Sequence, residues 1–367
     1  MKSLLRPQSE LSDPFPLYRQ MREECPLFHD RQADIWMIFR HEDCQRLLSS
    51  AQAQVPAGNP DGLDAPTRDI LSHLARLSNG ADHGFLRGVA AVVFRECHVL
   101  DPAQRLYDLL GSDGELDWVE RVARVLPLRL LLEGLGFAPD DRAFLIQAVP
   151  ILTALMLPRR TEVQVQAINA VAQDSSRIAA TRLRELGLVG LDRKAAAANL
   201  IGLLIQSYDA GRGFLTNALQ QVLARGWPKD IRSFVIETLR FDPPIHNTRR
   251  LLTASMCFGD VDIPAGSMVL AVVAAANRDP ARFADPECFD PARPNNSDHL
   301  TFGIGAHRCL ADHYMVNEVA RVLTALRHAW PDVMALPGDD AVEPLGNARL
   351  RKQLTIRLAG LSSSAAE

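Results

Sequence analysis

Phe302-Gly303-Ile304-Gly305-Ala306-His307-Arg308-Cys309-Leu310-Ala311 is the stretch of this 367-residue chain that decides its fold. Two glycines make a loop, and a lone cysteine stands just before the helical pattern of Ala311 to Ala329. Amide groups at a helix N-terminus and in a tight loop point at the sulfur, favouring a thiolate that can bind a metal. Glycine lets backbone approach a flat ligand closely, because no side chain intervenes. Taken alone, an isolated cysteine beside a turn is more often an inert core residue.

Moving outward, Glu237 and Arg240 sit three apart on a helical face, a spacing that lets the side chains meet. Such a pair alone is usually a solvated surface bridge. Between it and the cysteine lie β-branched stretches in CFGDVDIPAGSMVLAVVAAANRDP, with a turn at Pro264-Ala265-Gly266, and then irregular chain from Asp279 to Pro294. These stretches predict a small sheet. The final region, Asn347 to Leu358, also reads as strands. Farther upstream, Lys194 to Arg225 is apolar around much of its circumference, as in a helix buried at the centre of a protein. Gly211 and Gly213 interrupt it, and two mid-helix glycines require a kink or a close approach. Helical spacing also marks Pro14 to Glu24 and His41 to Ser49, with a short strand from Ile35 to Phe39 between them. From about Asp82 to Asn217 the pattern is mostly helical.

With 47% hydrophobic and 23% charged residues the composition fits a globular protein with a large core and excludes disorder. A net charge of -4 gives no basic field for nucleic acid or anionic lipid. The six cysteines show no paired or metal-knuckle spacing. No run approaches the ~20 apolar residues of a membrane span, and the N-terminus lacks a signal-peptide core. The expectation is a cytoplasmic protein, and with no repeat and no linker, residues 1–367 read as a single domain.

The cysteine stretch resembles the cysteine loop of the cytochrome P450 family, F-G-x-G-x-H-x-C-x-G or A, and fills every specified position. Glu237-Thr238-Leu239-Arg240 is similar to the family's E-x-x-R helix. Asn277-Arg278-Asp279-Pro280, Phe283, Pro286, Phe289, Asp290 and Arg293 match the segment that pairs with it. The resemblance implies a mainly α fold with a smaller β portion, a helical prism around a buried haem b whose iron takes Cys309 as axial ligand. Phe302, Gly303 and Gly211 would then face the cofactor. His83, Arg87, Arg250 and His307 would meet its propionates, with Arg249 a close rival of Arg250, because cationic donors make strong hydrogen bonds to carboxylates. The implied activity is oxygen-dependent oxidation of a small molecule, with electrons from a ferredoxin and its reductase or from a flavodoxin.

The distal side departs from the family pattern. Aligning Asn217 with the family's asparagine puts Ala210 and Gly211 on the small pair, Gly213 on the usual acid and Phe214 on the usual threonine. Neither residue can donate a proton. Helical spacing places Gln206, Asp209, Ala210, Gly213, Phe214 and Asn217 along one stripe, which the resemblance directs at the haem, and Asp209 is the candidate substitute. Arg212 lies off that stripe. Only 25 residues separate Gly211 from Glu237, leaving little room for the helix that usually precedes E-x-x-R. Two alternatives stand beside hydroxylation: atypical chemistry (peroxide-driven oxidation, coupling, desaturation or nitration) and a catalytically silent haem binder.

Overall fold

The computed structural model describes residues 6–111, 114–338 and 340–359. In chain order, the first helices and strands are α1 (Phe15–Glu24), β1 (Leu27–Asp30), β2 (Ile35–Ile38), α2 (His41–Ser49), β3 (Ala53–Gln54), α3 (Ala65–Ser72), α4 (Gly80–Arg95), α5 (Ala103–Leu110) and β4 (Gly114–Asp117). Then come α6 (Leu126–Gly134), α7 (Pro139–Leu152), α8 (Glu162–Glu185), α9 (Arg193–Arg225), α10 (Ile231–Phe241), β5 (Thr248–Leu252), β6 (Met256–Phe258), β7 (Val261–Ile263), β8 (Met268–Ala271), α11 (Val273–Ala276), α12 (Asp312–Ala329), β9 (Met334–Ala335) and β10 (Thr355–Leu358). The mainly helical expectation holds.

Two corrections concern local structure. Val273–Ala276 is a short helix, not a continuation of the β8 strand, because four small or branched residues there are all buried and the chain turns toward Asn277. The stretch from Asn347 is strand only over Thr355–Leu358, with isolated bridges Ile245 to Ala348 and Val342 to Arg351 upstream.

The chain forms two compact units, residues 1–54, 102–123 and 212–367, and residues 55–101 and 124–211. Among the described residues all the strands belong to the first unit. Its main sheet has the order β1-β2-β8-β5-β3, with β2 and β8 parallel and the other pairs antiparallel. One face of this sheet, with Ile38, Val269 and Leu252, joins the core around Leu47 of α2. The other, with Met37, Leu270 and Val272, packs on Tyr18 and Met21 of α1. Alternation of side chains along each strand produces this division.

The second unit is helical. Its core gathers apolar positions of α3, α4, α6, α7, α8 and the first half of α9, among them Leu71, Val93, Leu132, Val149, Ile168 and Leu200. Buried Asn199 ties α9 down: its amide donates to the carbonyls of His73 and Ala195 (2.8 Å each) and its oxygen accepts from Ala75 N–H at 2.9 Å. A buried amide with its partners in place fixes a helix's register. Thr161 begins α8 with a capping box closed by Gln164. Among the described residues no helix is long and apolar enough to cross a membrane.

Candidate functional site

Glu237 and Arg240, on α10, are both 0% exposed, so the solvated-bridge reading fails here. Arg240 donates to both carboxylate oxygens of Glu237, Nη2 at 2.7 Å and Nε at 2.9 Å. Its remaining N–H groups reach the carbonyls of Asn277 (3.0 Å), Pro286 (2.9 Å) and Cys288 (3.0 Å). Glu237 also accepts from Asp290 N–H at 2.9 Å and has Arg293 Nε 3.7 Å away. A buried ion pair survives only when its lone pairs and protons are this fully used.

Asn277 carries the bracing from α10 to the cysteine loop. Its amide donates to Thr301 Oγ1 at 2.8 Å and its oxygen accepts from Leu300 N–H at 2.7 Å. Thr301 Oγ1 in turn donates to Leu239 O at 2.6 Å. Thr301 went unnoticed in sequence, where only its position before Phe302 distinguishes it. Nearby, Arg278 bonds Phe241 O and Glu287 and lies over the rings of Phe15 and Phe241 (3.5 and 3.8 Å to the centroids). Asp279 accepts from His41 N–H at 2.8 Å, closing the start of α2.

The loop itself turns through Gly303 and Gly305, with φ of 67° and 71°, a left-handed conformation open to glycine at little cost. At Gly305 a Cβ would stand 2.9 Å from Leu48 O, so the loop also rides against the end of α2. Cys309 N–H donates to Phe302 O at 2.7 Å, closing the loop three residues before α12 begins with Asp312. Arg308 points away into an ion pair with Asp312 at 2.8 Å. Cys309 is half-buried and in no disulfide. Phe302 and His307 are half-buried on the same loop. Beside them, burial pushes His299 down to about 3, with Arg308 and Arg240 adding to the effect.

Arg250, on β5, is buried and donates to Thr248 Oγ1 and Arg249 O (3.2 and 2.8 Å). Strand alternation separates it from its rival: Arg250 lies opposite Val269 and Arg249 opposite Leu270, on the two faces of the sheet. In the second unit, His83 and Arg87 lie four apart on α4, His83 buried and Arg87 half-buried. The Nδ1 of His83 meets Ala75 O at 2.8 Å, so His83 donates to a carboxylate through Nε2 only as imidazolium.

The Cys309 loop fits a thiolate-held haem. Among the described residues no three His, Cys, Asp or Glu side chains cluster as a cage for a bare ion. A single sulfur suits a metal that arrives with its own equatorial ligands, and left-handed glycines leave the loop bare where a flat ring would lie.

Helix α9 runs unbroken from Arg193 to Arg225, so its glycines do not end it. At Gly213 a Cβ would come within 2.5 Å of Leu350 Cδ2 and 2.6 Å of Pro244 Cβ. One turn on, Asn217 donates to Asp242 O at 2.9 Å. The stripe expected to face a ligand is therefore, at Gly213 and Asn217, pressed against protein; close approach, not a kink, is what the glycine permits. Phe214 is 2% exposed, whereas Asp209 and Ala210 are half-buried and Gln206 is exposed. Arg212, off the stripe, is buried and pairs with Glu343 at 3.3 Å. Thr216 is the one buried hydroxyl in this turn, and it donates to Arg212 O at 2.7 Å. No helix intervenes between α9 and α10, which are joined by residues 226–230 alone.

Residues 231–319 match the family model described as cytochrome P450. A relative from Sulfurisphaera tokodaii, cytochrome P450 119, is 29% identical over 80% of this chain and 86% of its own. The 6-deoxyerythronolide B hydroxylase of Saccharopolyspora erythraea is 27% identical, covering 90% of this chain and 92% of its own. Among solved structures, the crystal structure of CalO2 superposes with a TM-score of 0.84 at 21% identity, over 95% of this chain and 96% of that one.

Proposed function

Because this chain belongs to the cytochrome P450 family and is a monooxygenase of it, we propose that it oxidises a small organic substrate with electrons from a separate ferredoxin and its reductase, or a flavodoxin. The observation that carries this reading is the buried scaffold running from Glu237 through Arg240, Asn277 and Thr301 to the loop that ends at Cys309. Cys309 would hold a haem b through its thiolate. By family analogy Phe302, Gly303 and Gly211 would lie against the ring, and Arg250, His307, His83 and Arg87 would be the propionate partners. Bound there, the haem supplies oxygen activation, with the thiolate pushing electron density toward the iron. The chain crosses between its two compact units four times, which supports one catalytic domain over residues 1–367. The protein works in the cytoplasm. One relative is named for hydroxylating 6-deoxyerythronolide B, and on that analogy the substrate is a specialised metabolite.

The distal residues favour a second reading beside ordinary hydroxylation. Gly213, at the position of the usual acid, has no space for a side chain, and Phe214, at that of the usual alcohol, is buried. Ala210 adds no polar group. Proton supply then falls to Asp209, to ordered water or to the substrate, and peroxide-driven oxidation, coupling, desaturation or nitration becomes a natural outcome.

The reduced protein under carbon monoxide should give the thiolate-type band, and Cys309→Ala should lose it; a band that persists in the variant removes Cys309 as ligand. Turnover with a surrogate ferredoxin pair, run beside turnover with peroxide, separates the two chemistries, and inactivity in both identifies a silent haem binder. Asp209→Asn should lower product formed per electron consumed; unchanged coupling takes Asp209 out of the mechanism.

A further inference from the structure

Arg249 is the arginine that the haem reading leaves over. Its row across the sheet, Arg249 opposite Leu270 and Leu270 opposite Met37, lies on the face covered by α1 and by residues 6–12. There the chain leaves a cleft of about 190 Å³, the space of about six waters at ~30 Å³ each. Met37, Leu270 and Val272 make its floor. Arg6, Gln8 and Arg249 bring polar groups to it, and no aspartate or glutamate lines it.

Among the described residues the guanidinium of half-buried Arg249 has no hydrogen bond and no ion pair. Burial pushes its pKa down, with no acidic neighbour to oppose the shift. The Nε of Arg6 and the Oε1 of Gln8, a residue 4% exposed, are buried without a hydrogen-bond partner. Leaving such groups unmet is costly, more so when they carry charge. Arg240, by contrast, makes five donor contacts.

The wall that carries Arg6 and Gln8 is fixed in place. Gln8 N–H donates to Leu345 O at 2.8 Å, and Gln8 Nε2 donates to Tyr18 OH at 3.1 Å. The Arg349 guanidinium gathers the carbonyls of Gln8, Leu11 and Ser12 at 3.2, 3.0 and 2.7 Å. A cleft with a fixed wall, an apolar floor and two guanidinium groups is preorganised for one ligand chemistry.

We propose that this cleft binds a small monocarboxylic acid, its carboxylate taken by Arg249 and Arg6 and its apolar body laid on Met37, Leu270 and Val272. Planar guanidinium groups match a carboxylate geometrically as well as in charge. No residue of the Cys309 loop lines the cleft, so its ligand need not touch the iron.

Calorimetric titration of the haem-loaded full chain with sodium hexanoate, and with hexan-1-ol as the uncharged control, tests the assignment. Hexanoate should bind at least tenfold more tightly than the alcohol and leave the haem absorption unchanged. Arg249→Gln should weaken hexanoate tenfold or more, and Arg6→Gln several-fold, with hexan-1-ol binding unaltered by either. Equal affinity for acid and alcohol, an unaltered hexanoate affinity in Arg249→Gln, or a hexanoate-induced shift of the haem band would each overturn the proposal. Arg6→Gln, on the wall segment, keeps the test decisive if Arg249→Gln fails to fold. A missing thiolate-type band would count against the haem reading alone, since the affinities for hexanoate and hexan-1-ol are read from heat and not from the band.

Discussion

Glu237 is the residue whose environment changed most between sequence and structure. Three apart from Arg240, it has the spacing of any surface pair, and nothing in that spacing shows that both side chains are fully buried. Burial follows from partners 40 to 56 residues farther along, the Asn277, Pro286 and Cys288 carbonyls and the Asp290 amide and Arg293 side chain. Ordered motif matching implied the pairing; local periodicity could not. Removing this carboxylate's charge strands two buried guanidinium groups, so Glu237→Gln should cost about 3–5 kcal/mol of stability, read as a lowered urea midpoint at unchanged haem loading ratio in the soluble fraction. A loss under 1 kcal/mol would mean that solvent reaches the pair. Gly213 shows the opposite case: its departure from the family pattern was legible in sequence, but the cause, contact with Pro244 and Leu350, lies in chain more than 30 residues away.

At the scale of elements, helix ends were legible and short strands less so. Helix α2 follows its sequence pattern to the residue, because His41 to Ser49 has apolar positions in register and ends at a serine. Strand in the region after Asn347 shrank to four residues, since isolated bridges satisfy much of that backbone without a ladder. The joint between α10 and the cysteine loop rests on Asn277, which no periodicity singles out. Asn277→Ala leaves Leu300 N–H unmet and frees Thr301, a loss of about 1–3 kcal/mol for the stranded donor. The loop should then loosen around Cys309, and the carbon monoxide spectrum should show a smaller thiolate-type fraction than wild type at equal haem content. An unchanged fraction would place loop rigidity elsewhere.

For the molecule as a whole, pH acts through His246. It is fully buried against Tyr18 OH at 3.1 Å, and burial, with Arg349 and Arg278 nearby, pushes it down from 6.5 to about 3. Folded, it stays neutral; unfolded, it takes a proton below about 6.5. Its contribution is therefore present above that value and is lost as pH falls toward 3, at about 1.4 kcal/mol per pH unit. Between pH 7.5 and 5 the wild type should lose about 2 kcal/mol through this group, and His246→Gln should flatten the profile of urea stability by that amount. Parallel profiles for the two proteins would exonerate His246. The fold class and the order of its elements could be read from the chain because helical periodicity and the ordered motifs agreed. Contacts across long separations could not be read in that way, and the start of α2 is one of them: its first amide is closed by Asp279, 238 residues later. A nine-residue helix is marginal in water without tertiary support. At a synthesis rate of about 5–20 residues per second, α2 leaves the ribosome on the order of ten to fifty seconds before its cap exists. The nascent chain thus spends most of its synthesis with the first amide of α2 unclosed.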